Sequence, residues 1–369
     1  MLFRLKASKP VLCLKFYSPP QTRLYSTRSS FNPLRILFCG ADEFSIHSLR
    51  RLDTLQKSRP ECINSIDVVC RPDKPVGRRG KQIRQVPIKN TAQSLGLQLH
   101  QIDTFTDWTP PPTDLVITVS FGLLVPARIL SGAKYGGVNV HPSLLPDLRG
   151  PAPIQHALLQ DYKQTGVSLQ TMHPTQFDRG AILSQQSMHV PENASVEGMV
   201  DLLGEMGAEL LASGIENGLF IDPKDISTVP GKKLRHAPKI TPLDRNIADW
   251  KTLTAEEILR RDRVLGKLWD DTTYELCYAS GQSKRVTFHD GWRRLDGGEI
   301  HIEHRIPWEA DDHGGGVVIF RIPNVKGSHF AVETREDNAL LAPNAATIEG
   351  EKKGFGLQAL TRAIKMREV

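Results

Sequence analysis

Two short apolar runs constrain this chain most: Leu34-Arg-Ile-Leu-Phe-Cys-Gly40 and Leu115-Val-Ile-Thr-Val119. The second is apolar at nearly every position, which suits a parallel strand covered on both faces. The first ends at a glycine, and Phe44 to Leu55 follows with helical spacing, so strand, turn and helix open an α/β unit. The alternation continues: Ile66 to Cys70 reads as a strand, a helix carries Ala92 and Leu95, Gly137 to Val140 is a strand, and Ala152 to Leu159 a helix. Gly166 to Met172 and Ala181 to Val190 are strand-like, and Val196 to Leu211 has the length and period of a closing helix. Residues 31–225 are therefore expected to form one α/β domain.

From about Ile221 the texture changes. Pro223, Pro230, Gly231, Pro238 and Pro242 crowd together, and residues 226–246 read as a linker wrapping the first domain. Residues 247–369 read as a smaller second domain. One amphipathic helix lies within Ile247 to Leu268, with Ala255, Ile258 and Leu259 on a face. Tyr274 to Tyr278, Val286 to His289, Val317 to Ile322 and Phe330 to Glu333 are short alternating pieces separated by glycines, the pattern of a small β barrel or sheet. Phe355 to Ile364 reads as a last short helix, and Trp250, Trp269, Trp292 and Trp308 as core anchors of this domain.

Several function classes fall away. At 39% hydrophobic and 24% charged residues, the chain is neither disordered nor collagenous. No run approaches eighteen apolar residues, so no bilayer crossing is expected. Five cysteines without a CxxC pair argue against a disulfide scaffold and a thiolate zinc site. Dinucleotide and phosphate-loop glycine fingerprints are missing. His301, Glu303 and His304 lack a recognised ligand spacing, so no metal is expected. With no apolar heptad, a monomer is expected.

The net charge of +6 is unevenly spread. Residues 1–30 hold Arg4, Lys6, Lys9, Lys15, Arg23 and Arg28 and no acid, which leaves the rest formally neutral. This basic, Ser-containing segment dotted with Leu and Phe reads as a mitochondrial presequence, cleaved between Tyr25 and Asn32.

Asn139 and His141 occupy alternate positions at a strand end, so their side chains share a side. A carboxamide and an imidazole aimed at one spot can donate to an oxygen that becomes negative, as in a tetrahedral intermediate. Ligands of open α/β sheets sit at such carboxyl ends. The structural alternative is that His141 packs locally and Asn139 caps a turn. Asp178, in a later loop, could orient the imidazole, or pair instead with Arg179 or Arg149. A third feature is the segment with Arg71, Lys74, Arg78, Arg79, Lys81, Arg84 and Lys89 against Asp73 alone, a local charge of +6 over nineteen residues. Gly77 and Gly80 flank its Arg78-Arg79 tip. It suits a polyphosphate partner, RNA rather than duplex DNA because no recognition helix is apparent, or else it is a solvated surface loop.

The blocks Ile36-Leu-Phe-Cys-Gly-Ala-Asp-Glu-Phe44, Arg71-Pro-Asp-Lys-Pro-Val-Gly-Arg-Arg-Gly-Lys81, Ser120-Phe-Gly-Leu-Leu-Val-Pro126, Asn139-Val-His-Pro-Ser-Leu-Leu-Pro146, Arg149-Gly-Pro-Ala-Pro-Ile154 and Phe177-Asp-Arg-Gly180 resemble the folate-dependent formyltransferases. Within that family, the likeness is to members acting on initiator methionyl-tRNA in mitochondria. The resemblance implies a Rossmann-like domain with an open, mostly parallel sheet, followed by an oligonucleotide-binding-like β-barrel that supports the tRNA. It implies a formyl-transfer site of Asn139, His141 and Asp178, with 10-formyltetrahydrofolate as co-substrate. The folate would lie against Phe121, Gly122, Leu123 and the Asp178 loop, with Ser143, Leu144 and Pro146 as further contacts. Arg78 or Arg79 would meet the tRNA acceptor region, with Lys81 and Arg149. The implied activity is formylation of the α-amino group of initiator methionyl-tRNA in the mitochondrial matrix. Two departures stand out: Phe177 replaces a smaller aliphatic residue, and Arg179-Gly180-Ala181 replaces the more usual polar continuation. A formyltransferase of the purine-pathway type, acting on a small amine, would need neither the second domain nor the +6 segment. A catalytically dead RNA-binding relative is the other alternative.

Overall fold

The computed structural model describes residues 31–76, 81–227, 234–295, 300–308, 315–323 and 325–367. The expected presequence lies outside them. The chain opens with β1 (Leu34–Gly40), α1 (Glu43–Ser58) and β2 (Ile63–Cys70), then a hairpin of β3 (Lys74–Val76) and β4 (Gln82–Arg84). There follow α2 (Pro87–Ser94), β5 (Gln98–Gln101), β6 (Leu115–Val119), α3 (Ala127–Gly132), β7 (Gly137–His141), α4 (Pro153–Leu159), β8 (Gln164–Thr171), β9 (Ile182–His189) and α5 (Val196–Glu216).

The first sheet runs β5-β2-β1-β6-β7-β8-β9. Its first five strands are parallel, and β8 and β9 join antiparallel. Both faces are covered, which is why the central strands carry no polar stripe. Ile36 and Phe38 of β1 pack with Phe44, Leu49 and Leu203 of α1 and α5. Leu37 and Cys39, pointing the other way, pack with Val116, Phe121 and Ile129. The Asp42 side chain caps α1 by accepting from the Ser45 N–H at 3.2 Å. α5 runs past the expected Leu211 to Glu216 because Ala212, Gly214 and Ile215 stay buried.

The basic segment, read from sequence as a loop, is a two-stranded arm with Lys74 opposite Arg84. Its tip, with Arg78 and Arg79, lies outside the described residues. Two of its cations are tied at the base: Lys89 to Asp73 at 2.6 Å and Arg71 to Asp103 at 3.6 Å.

The second sheet comprises β10 (Leu268–Asp270), β11 (Val286–Leu295), β12 (His301–Pro307), β13 (Gly316–Arg321), β14 (His329–Glu333) and β15 (Leu340–Ile348). Helices α6 (Ala255–Leu265), α7 (Thr272–Tyr278) and α8 (Gly356–Met366) accompany it. The order is β10-β11-β15-β14-β13-β12, antiparallel throughout. Where a barrel was expected, the end strands β10 and β12 are not paired with each other among the described residues. Tyr274 to Tyr278, expected as a strand, is helix α7. Its tyrosines stack at 4.3 Å, one turn apart, and the buried Asp270 carboxylate accepts from the Thr273 N–H at 2.9 Å, overriding their strand propensity. Trp250 stacks on Trp308 at 5.6 Å and meets Trp292 in the core. Trp269 does not join them: its indole N–H donates to the Pro242 carbonyl and Arg285 covers its ring.

Candidate active site

Chain order reverses direction in the first sheet between β1 and β6, and a crevice opens where adjacent connections part company. A cleft of about 550 Å³ lies there, walled by the residues after β1, the turn after β6, the end of β7 and the loop after β8. Asn139, His141 and Asp178 all line it.

The strand periodicity sets Asn139 and His141 on one face, and longer-range bonds set their orientation. Thr118 Oγ1 donates to Asn139 Oδ1 at 2.9 Å, committing the oxygen end of the carboxamide. The donor end, Nδ2, is the one left for a ligand. His141 is 6% exposed, and its Nε2 lies 3.1 Å from the Leu148 carbonyl oxygen, where it donates. Its Nδ1 is 3.4 Å from Asp178 Oδ1.

The loop after β8 curls back to bring Asp178 there. Gly180 permits this close approach, since a Cβ at that position would fall 1.7 Å from the Thr171 carbonyl oxygen. The Gly150 N–H donates to Asp178 Oδ2 at 2.9 Å. Gly150 has φ +124°, and a Cβ there would sit 2.4 Å from the Ala237 carbonyl oxygen, so a side chain is excluded on both counts. Asp178 itself adopts a left-handed φ of 53°. The segment expected as linker runs past this point: Leu148 and Ala237 N–H groups donate to the Arg235 and Arg149 carbonyls at 2.8 and 2.7 Å.

Arg149, expected at the RNA, turns inward instead. Its Nε donates to the Asp178 backbone carbonyl at 2.7 Å. Burial and the nearby Arg179 both work against its charge, and the Asp178 carboxylate supports it. Of the expected folate contacts, Phe121, Gly122 and Leu123 line the cleft, whereas Ser143, Leu144 and Pro146 do not. Ser143 is 1% exposed and its hydroxyl donates to the Asp147 carbonyl at 2.7 Å, because the turn after β7 folds into the domain. Lys81, beyond the arm's tip, is exposed.

Among the lining residues that escape a reading of the sequence are Thr118, Gln170, Asp42 and His236. Thr118 carries a signal, being the one polar residue in an apolar strand. Burial pushes the Asp42 carboxyl up, opposed by its hydrogen bonds to Ser45 and Ser120. At the mouth, Phe177 is 58% exposed. Away from the cleft, Glu303, sequence neighbour of His301 and His304, pairs with Arg321 and Lys365.

The cleft suits a flat heteroaromatic ligand: Phe121 and Leu123 give apolar walls, Phe177 an exposed aromatic rim, and a few polar groups converge at one end. That end combines hydrogen-bond donors with a carboxylate, the equipment for charge stabilisation and proton transfer at a carbonyl.

The formyl transferase family matches residues 34–215. The chain is 30% identical over 304 residues to the mitochondrial methionyl-tRNA formyltransferase of Saccharomyces cerevisiae, covering 70% of this chain and 75% of that protein. It is 35% identical over 188 residues to the methionyl-tRNA formyltransferase of Bacillus cytotoxicus, 49% of this chain and 57% of that one. Among solved structures, an N-formyltransferase from Helicobacter canadensis, in complex with folinic acid and dTDP-3-aminofucose, has the same fold, with a TM-score of 0.51 at 13% identity over 84% of this chain and 98% of that chain. With this shared fold and this identity over most of a relative's length, the chain belongs to the formyl transferase family.

Proposed function

We propose that the chain transfers the formyl group of 10-formyltetrahydrofolate to the α-amino group of initiator methionyl-tRNA, in mitochondria. The observation that carries this reading is the convergence of Asn139, His141 and Asp178 on one end of one cleft. The likeness to methionyl-tRNA formyltransferases and the cation-rich arm support the RNA acceptor. The acid-free residues 1–30 and the mitochondrial yeast relative support the compartment. The folinic acid bound by the Helicobacter canadensis enzyme supports the folate.

When bound, 10-formyltetrahydrofolate supplies a formyl carbon whose leaving group is N10. Phe121, Gly122 and Leu123 would hold its ring system. Asn139 Nδ2 donates to the formyl oxygen as that oxygen gains charge. His141, whose Nε2–H is given to Leu148, presents Nδ1 to the same oxygen beside Asp178. Both donors are fixed beforehand, so no reorganisation is needed as charge develops. Asp178, anchored by Gly150 and Arg149, takes the proton that the attacking amine loses and returns it to departing N10.

The test is a transfer assay with 10-formyltetrahydrofolate and three acceptors: charged initiator tRNA, charged elongator tRNA and a small amine. Formylation of the initiator is expected to dominate. Preference for the small amine would overturn the RNA reading, and transfer to none of the three would overturn the activity.

A further inference from the structure

Gln170 lies directly opposite Asn139 across β7 and β8, so the two side chains leave the sheet on one face as near neighbours. It is 1% exposed and lines the same cleft. Its Nε2 is 3.4 Å from Asp178 Oδ1. A carboxylate only accepts, so the amide must turn its nitrogen that way. The other end, Oε1, is then left buried with no hydrogen-bond partner among the described residues. A buried acceptor without a donor is costly, and one beside a reacting centre calls for an explanation. The pairing of β8 with β9 shifts register at this residue, Leu169 facing Ser184 and Gln170 facing Ile182. Such irregularities re-aim side chains next to active sites.

Resting on the proposed amine acceptor, we propose that Gln170 is a catalytic residue whose Oε1 accepts one N–H of the attacking amine. A neutral primary amine has one lone pair and two N–H bonds. With the lone pair on the formyl carbon, both hydrogens need acceptors. Asp178 takes the one that leaves as a proton, and Gln170 Oε1 holds the one that stays. The hydrogen bond from Nε2 to Asp178 keeps the two acceptors side by side. Asn139 across the strand pair then serves the oxygen of the same carbonyl, so the two carboxamides handle opposite partners of one bond-forming event.

The experiment compares the full-length chain with Gln170→Met, which keeps side-chain length and removes both polar ends. Transfer to charged initiator tRNA and thermal unfolding are measured on each. The expected result is a fall in kcat of tenfold or more, an unchanged KM for 10-formyltetrahydrofolate, and an unfolding midpoint no lower than wild type, since the orphaned acceptor is gone. Gln170→Leu repeats the measurement if the methionine disturbs the strand. Turnover within twofold of wild type overturns the inference. So does a tenfold rise in folate KM at unchanged kcat, which would give Oε1 to the folate. A wild-type chain that formylates no charged tRNA overturns the proposed function and this inference with it, whereas an active wild type beside an equally active variant overturns this inference alone.

Discussion

Thr118 donates from Oγ1 to Asn139 Oδ1 at 2.9 Å, and this one bond decides which end of the carboxamide faces the cleft. Thr118→Val keeps the shape of the buried side chain and deletes the donor. The freed amide can present its oxygen to a developing negative charge, where it repels. Formyl transfer is expected to slow by about tenfold, roughly 1.4 kcal/mol in the barrier, at unchanged folate affinity. Unchanged kcat would show that Asn139 is oriented by something else.

His141→Ala removes the imidazole and leaves the Leu148 carbonyl and Asp178 in place. Loss of one preorganised donor costs about 3–4 kcal/mol, two to three orders of magnitude in rate. Binding of charged tRNA should survive, because the arm lies elsewhere. Single-turnover rates beside filter binding separate the two, and near-normal turnover would refute the role.

Arg149 distinguishes two readings of one cation. Tied to the Asp178 carbonyl, it positions the loop. Arg149→Met is expected to lower kcat about tenfold, ~1.4 kcal/mol, without altering tRNA affinity or its salt dependence. A flattened salt dependence with normal kcat would return Arg149 to the RNA surface.

Lys81 and Arg84 belong to the exposed arm. Replacing both by Ala should weaken tRNA binding and reduce the slope of log affinity against log salt by roughly 0.7–0.9 for each phosphate no longer neutralised. Folate KM should not move. Equal weakening towards both substrates would place the arm in the cleft's own chemistry.

Asp262 in α6 gives a pH prediction. Burial pushes its carboxyl up from 3.8 to about 6, against a hydrogen bond from the Trp292 backbone and the charge of Arg263. The folded state thus binds this proton more tightly than the unfolded state. Stability from this group is full below about pH 4 and is lost as pH rises towards 6. Asp262→Asn cannot ionise, so its urea midpoint should match wild type near pH 4 and exceed it at pH 7. Parallel curves across that range would count against a buried ionisable group.

Local pattern carried much of this architecture. The apolar run Leu115–Val119 is strand β6 to the residue, because being covered on both faces leaves an unbroken signature. Strand β5, Gln98-Leu99-His100-Gln101 with a single apolar residue and exposed ends at the sheet edge, left none. Tyr274 to Tyr278 misled, since aromatic side chains favour strands until a buried carboxylate and a stacking partner one turn away favour a helix. In the site, alternation set Asn139 beside His141, whereas Ser143 turned into the core and Arg149 towards Asp178.

The order of residues alone determined which segments become the central strands, and that a carboxamide and an imidazole leave one strand on the same side. Those properties depend on neighbours a few positions away. Only the folded chain decided that Asn139 turns its oxygen to Thr118, 21 residues off, that His141 spends Nε2 on Leu148, and that Asp178 is gripped by Gly150, 28 residues back. Hydrogen-bond partners so far apart in sequence meet only after the sheet has formed, and until they do the same side chains have no fixed direction.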